Sequence, residues 1–313
     1  MKAVIIGAGQ IAGGLDSADD TNILTHAHAY KMDERTELVG VCDSNSNALQ
    51  RFSNKWKVSA FDDIERMLVE CSPKIVSICS PTETHGDMIE LALKHDSVDV
   101  ILCEKPLVAT RDEFERVNKL LRQSSKKVFV NYIRRFDPSF IQLSQMIQNG
   151  EFGELQSFQG RFSKGLIHNG SHMLELIEWL IGSISKIRVL SFQKKENDFL
   201  GHFFIETDSA EGVLTNQEAT NYDLFELDIL FSDAKVSIGD QGRMITIFRP
   251  KVSKTFSGYS YLREERRLFG TLEQNMKNAL NFALQNDSYP TLQKHLKLSE
   301  KLLHIIEILK DTK

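Results

Sequence analysis

The chain has 313 residues, 41% of them hydrophobic and 26% charged, a composition of soluble globular domains and a length that accommodates two of ordinary size. Its 38 Lys+Arg against 43 Asp+Glu leave a net charge of −5, which gives no footprint for a nucleic-acid backbone or an anionic membrane surface. No apolar run approaches the ~20 residues of a membrane span, and the opening MKAVIIGAGQIAGG meets glycine after Ala3–Ile6, unlike a signal peptide.

Over roughly the first 130 residues, short apolar runs alternate with longer amphipathic ones. KAVIIG, ELVGVCD, KIVSICS, VDVILCE and KKVFVNY are rich in Val and Ile and almost unbroken, as strands buried on both faces must be. Between them, THGDMIELALKH and TRDEFERVNKLLRQ place apolar residues at helical spacing. Strand and helix in alternation predict a parallel, doubly wound sheet, here residues 1–133. One stretch is irregular. Gly13 and Gly14 interrupt the first helix, and the helical pattern returns near Thr25. The loop between carries Asp16, Asp19 and Asp20 and is either a solvated surface loop or a substrate-facing one. His26 and His28, two apart, do not share a helical face and read as packing or surface residues. Cys42, Cys71, Cys79 and Cys103 show no metal spacing and read as small buried hydrophobes in a reducing cytoplasm.

After Arg135 the pattern changes. DPSFIQLSQMIQNG predicts a helix with Asp137 before Pro138 at its start and Gly150 beyond its end. GSHMLELIEWLIG predicts a second. From Ile184 to Phe248 alternating segments predict a largely antiparallel sheet, and helices near 268–285 and 291–310 close the chain. Residues 134–313 are therefore expected to form an α+β domain with a large, mostly antiparallel sheet.

The chemistry gathers at strand ends. In VIIGAGQIA, Gly7 allows a tight turn and Gly9 lets a pyrophosphate approach the backbone, with Gln10 and Ile11 next and Ala12 in the third position of the glycine pattern. Asp43 ends the second strand, where a carboxylate accepts hydrogen bonds from an adenosine ribose and repels a 2′-phosphate. NAD is thus expected rather than NADP. Ligands of open α/β sheets bind beyond the carboxyl ends of strands. Ser80, Pro81 and Thr82 lie at one such end, and Glu104, Lys105 and Pro106 at another. If those two strands are neighbours, both sets face one crevice. Lys105 would then point into that crevice, with Pro106 fixing the chain direction immediately behind it.

GAGQIA, SPTETH, CEKPL, NYIRRFDPSF, NGEFGEL and GSHMLELIEWLIG together resemble the family of glucose–fructose oxidoreductase, inositol dehydrogenase and MocA (Gfo/Idh/MocA), distinctively to about residue 182 and more vaguely beyond. The resemblance implies a Rossmann domain, a C-terminal sheet that mediates a homodimer or homotetramer, and hydride transfer between bound nicotinamide and a secondary alcohol of a sugar, cyclitol or nucleotide-linked sugar. It implies that Lys105 contacts the reacting hydroxyl or the nicotinamide ribose, that Glu104 helps to place it, and that Ser80, Pro81, Thr82 and His85 line the nicotinamide side. In LIHNGSHMLELIEWL, His172 fits the general acid/base and Glu175 a position usually held by aspartate. His168 stands where the family often has a carboxylate, which leaves the substrate open. His168, Asn169, Tyr132 and Arg134 are candidate substrate contacts. A non-catalytic NAD-binding regulator and a redox-assisted glycoside-cleaving enzyme are the alternatives.

Overall fold

The computed structural model describes residues 1–196, 198–218, 221–285 and 291–311. The chain divides into two units: Met1–Phe136 with Glu273–Leu303, and Asp137–Leu272 with His304 onward.

In the first unit, β1 (Lys2–Ile6), β2 (Glu37–Cys42), β3 (Ser59–Phe61), β4 (Ile75–Ile78), β5 (Val100–Cys103) and β6 (Lys127–Val130) form one parallel sheet in the order β3-β2-β1-β4-β5-β6. β4 and β5 are buried at every position, the condition of strands covered on both faces. The helices of this unit between its strands are α1 (His26–Met32), α2 (Ser46–Trp56), α3 (Ile64–Cys71), α4 (His85–Lys94), which packs on β4 and β5, and α5 (Arg111–Gln123), which packs on α4. α5 starts on a capping box, Thr110 with Glu113. Strand order reverses between β1 and β4, so the carboxyl ends of β1, β4 and β5 border the switch point where open α/β sheets bind ligands.

The glycine pair ends the first helical segment as the sequence predicts. Gln10–Gly14 is only a five-residue π-turn, and α1 begins at His26 with Thr25 as its cap. The loop between is not wholly solvated. Asp16 is buried, and its carboxylate accepts from Leu24 N, Thr25 N, Thr25 Oγ1 and His28 Nδ1 at 2.5–3.1 Å. A buried carboxylate needs such donors, and here they fix the entry of α1.

In the second unit, α6 (Pro138–Gln148) precedes β7 (Leu155–Ser163), and α7 (Ser171–Leu180) precedes β8 (Ile184–Lys195), β9 (Asp198–Thr207), β10 (Glu211–Gln217), β11 (Phe225–Phe231), β12 (Lys235–Gly239), β13 (Met244–Val252) and β14 (Ser260–Phe269). The sheet order is β14-β13-β12-β11-β7-β10-β9-β8. Its pairs are antiparallel except β10 with β7. Phe158, Phe162, Phe203, Leu214 and Leu227 alternate inward on one face.

Asp137 caps α6 through Ser139 N at 2.9 Å, and its other oxygen takes Thr271 N at 2.6 Å. Asp137→Ala removes a cap and strands a partly buried amide together. It should lower the stability of this unit by about 2–4 kcal/mol, read as a lower denaturant midpoint with an unchanged slope.

The chain then returns to the first unit as α8 (Asn275–Gln285), which buries Met276, Ala279, Leu280 and Ala283, with Phe282 5.2 Å from the Phe136 ring. The final helix, α9, spans Thr291–Asp311. No helix among the described residues is long and apolar enough to cross a membrane. All four cysteines are buried and unbridged, and burial pushes the Cys42 thiol up to about 11 and those of Cys79 and Cys103 well above their ordinary value.

Candidate active site

The β1 turn lies against the end of β4. Gly7 has φ +95°, and a Cβ there would come within 2.7 Å of the Cys79 carbonyl and Ser80 N, so both backbone conformation and space demand glycine. At Gly9 a Cβ would meet no protein atom within 4 Å. Protein packing does not require that glycine, and the open approach fits a ligand backbone such as a pyrophosphate. Gln10 is exposed and Ile11 half-buried on the turn that follows. Asp43, just beyond β2, closes this loop: Oδ2 accepts from Ala8 N at 2.6 Å and Oδ1 from Asn45 N at 2.7 Å. Each oxygen keeps acceptor capacity for a ribose hydroxyl.

β4 and β5 are neighbours, and Glu104 N bonds Ile78 O at 2.9 Å, so the two strand ends share one edge of the switch point. His85 spans them. It is buried, with Nδ1 2.9 Å from Pro106 O and Nε2 3.0 Å from Ser80 O. Both nitrogens thus face backbone carbonyls, and the ring holds the two tips in register. Thr84 Oγ1 donates to Ser80 Oγ at 2.7 Å, while Pro81 and Thr82 form the start of the short helical turn between them. Lys105 is half-buried on the β5 tip, joined to Pro106 by a cis peptide.

Behind Lys105 lies a polar network that sequence reasoning missed. Glu104 Oε1 is 3.0 Å from His26 Nε2 and accepts from Asn131 Nδ2 at 2.6 Å. His26 Nδ1 is 2.8 Å from Ser77 Oγ, which is 2.6 Å from Tyr30 Oη. His26, Tyr30, Ser77 and Asn131 are all buried. Burial would raise the Glu104 carboxyl, and hydrogen bonds from His26 and Asn131 and the Lys105 ammonium act against that rise. His26 and His28 are therefore neither surface residues nor plain packing, because each bonds a buried carboxylate, Glu104 or Asp16. Ser77, a hydroxyl inside the apolar run of β4, was the available signal. Tyr132, with its ring 5.0 Å from His295, and Arg134, on the turn Ile133–Phe136, are both buried in this unit.

In the second unit, His168 and Asn169 sit on a π-turn, Leu166–Gly170, that runs directly into α7. His168 is exposed, Asn169 and His172 are half-buried, and Glu175 is buried. Asp198 holds the turn: Oδ1 accepts from Ile167 N at 2.8 Å and Oδ2 from His168 N at 3.0 Å. Gly165 makes room for it, since a Cβ at φ +82° would lie 2.3 Å from that carboxylate. Asp198 lies 30 residues from His168, and no local pattern marks the pairing.

The strand order, the glycine turn and the edge formed by β4 and β5 define a dinucleotide-binding Rossmann unit. Residues 1–132 match the model of an oxidoreductase family with an NAD-binding Rossmann fold, Gfo/Idh/MocA. The chain is 28% identical over 216 residues to the D-glucoside 3-dehydrogenase of Escherichia coli (strain K12), covering 62% of this chain and 58% of that protein. It is 24% identical over 175 residues to an inositol 2-dehydrogenase of Salmonella typhimurium, covering 51% and 52%. The chain thus spans little more than half the length of these curated relatives. The WlbA dehydrogenase of Bordetella pertussis, solved in complex with NADH and UDP-GlcNAcA, shares the fold with a TM-score of 0.75 at 18% identity, over 99% of this chain and 96% of that one.

Proposed function

We propose that the protein is an NAD-dependent oxidoreductase acting on a secondary alcohol of a sugar, cyclitol or nucleotide-linked sugar. The observation that carries this reading is Lys105 at the switch-point edge, beside a carboxylate hydrogen-bonded by the buried His26 and Asn131. The nature of the relatives supports the substrate class: a glucoside dehydrogenase, an inositol dehydrogenase and a dehydrogenase that holds a UDP-linked sugar. Bound nicotinamide would accept or supply the hydride. The first unit would hold it with Gly7, Gly9, Gln10, Ile11 and Asp43, and with the Ser80–Thr82 and Glu104–Lys105 tips aligned by His85. Lys105 would stabilise the alkoxide, and His172 would take its proton. His168 and Asn169 are the substrate contacts this reading favours in the second unit. That unit would also join copies into a homodimer or homotetramer, since its edge strand β14 leaves Tyr261, Leu262 and Phe269 exposed. A cytoplasmic location suits the four unbridged thiols.

NADH release with a panel of polyols and glycosides tests the activity; none released with any of them would sink it. Cofactor choice rests on Asp43. Tighter binding of NADH than of NADPH is expected in a fluorescence titration, because Asp43 repels a 2′-phosphate. Asp43→Ala should weaken NADH and narrow the gap by about tenfold, or about 1.4 kcal/mol. A wild-type preference for NADPH would overturn the assignment.

A further inference from the structure

The chain Tyr30–Ser77–His26–Glu104 contains a directional constraint. Among the described residues, Ser77 Oγ is the hydrogen-bond partner of the Tyr30 hydroxyl. Burial raises that phenol well above its ordinary value, so it stays a donor. Tyr30 O–H must then donate to Ser77 Oγ. Ser77 has one proton, and its remaining neighbour is His26 Nδ1 at 2.8 Å. If His26 were an imidazolium, both of its nitrogens would donate, and the Ser77 proton would have no acceptor in a fully buried site. A buried donor left unpaired costs about 1–3 kcal/mol. The neutral ring with its proton on Nε2 satisfies every group: Nδ1 accepts from Ser77, and Nε2–H donates to Glu104 Oε1 at 3.0 Å.

All the donors therefore point one way, toward the carboxylate. The far end, Tyr30, is 1% exposed, so the chain is no proton exit. It is a brace anchored in α1 and β4. Asn131 Nδ2, from the end of β6, bonds the same oxygen at 2.6 Å from the other side.

We propose that His26 is a positioning residue, held as the neutral Nε2–H tautomer by Tyr30 and Ser77, and that it fixes the Glu104 carboxylate and hence the placement of Lys105. Its effect on turnover rests on the oxidoreductase reading above; its protonation state does not.

The test is ¹⁵N NMR of the full chain labelled at histidine, with His26 assigned from the signals that disappear in His26→Gln. At pH 7 one His26 nitrogen should carry a proton and the other none, with the proton on Nε2. An imidazolium, or a proton on Nδ1, overturns the proposal. Kinetics supplies the second readout. His26→Leu removes the donor to Glu104 and should lower kcat about 10–100-fold with KM little changed, the effect of a misplaced catalytic group. The Gln side chain places an amide N–H where Nε2–H lies, so His26→Gln should recover most of that loss. Equal kcat in Leu and Gln variants that bind NADH normally would reduce His26 to packing. If His26→Leu does not fold, the wild-type spectrum and His26→Gln still decide. A wild-type protein that turns over no substrate sinks the oxidoreductase reading and leaves the NMR result standing.

Discussion

Lys105→Ala should retain the fold and lose nearly all turnover, with kcat falling at least ~10²-fold, about 2.7 kcal/mol or more of transition-state stabilisation. The expectation comes from position as much as from charge. Lys105 stands half-buried where β5 ends, on the edge that β5 shares with β4, and Glu104 beside it bonds His26 and Asn131. A lysine serving only solubility would not need a strand tip whose neighbouring carboxylate is hydrogen-bonded by two buried residues. Hydride leaving an alcohol carbon builds carbonyl character while oxygen sheds its proton, and an adjacent ammonium lowers the energy of that oxygen most when its charge is greatest. The loss should therefore fall on kcat rather than on NADH affinity. Lys105→Arg keeps the charge but replaces a compact ammonium by a planar fork, so partial recovery is expected. Near-normal kcat in Lys105→Ala, with melting temperature and NADH titration unchanged, would reduce the residue to a structural role.

The parallel sheet was legible because burial on both faces leaves almost unbroken Val and Ile runs, and β4 and β5 are buried at every residue. Other elements left weaker marks. β14, with the sequence SYLREERRLF, is exposed along nearly its whole length and shows no alternation to read. β10 pairs in parallel with β7, although β8 and β9 lie between them in the chain and β9 joins β10 in a hairpin. That exchange of neighbours is a long-range pairing that no local pattern encodes. Apolar spacing in Asn275–Gln285 announces a helix, but only packing shows that its partners are Phe129 and Phe136 in the first unit.

At the candidate site, the glycines and Glu104–Lys105 stood out because they break an apolar run at its end. The groups that govern Glu104 did not. His26 lies 78 residues from Glu104 and 51 from Ser77. Its neighbours in the chain, Ala27 and His28, give no hint that one histidine serves Glu104 and the other Asp16. Buried polar contacts are set by tertiary packing, and a histidine near the start of a short helix has no local signature separating brace from surface. Asp198 illustrates the same limit in the second unit, where one carboxylate 30 residues on, beyond α7 and β8, holds the turn that carries His168.

His172→Asn should remove both most of kcat and a pH dependence. His172 is the second residue of α7, half-buried, and follows the turn fixed by Asp198. Alcohol oxidation leaves a proton on oxygen that needs an acceptor. Lys105 in its ammonium form stabilises an alkoxide but accepts no proton, whereas a neutral imidazole accepts one directly. The sign follows: protonated His172 is inactive as a base, so oxidation should rise with pH through an ionisation near ~6–7, the ordinary histidine range. Reduction of the corresponding ketone needs the acid form and should fall over the same interval. Asn keeps a polar side chain of similar reach but has no titrating nitrogen, so the ionisation should vanish while NADH affinity changes little. His168 is the control. It lies on the turn before α7, four residues earlier, exposed and with its backbone N–H on Asp198. If His168→Asn erases the ionisation and His172→Asn leaves it, the base is His168, and the position inferred from the family resemblance does not transfer to this chain. If neither variant changes the profile, the proton leaves through another group, and the role assigned to α7 fails.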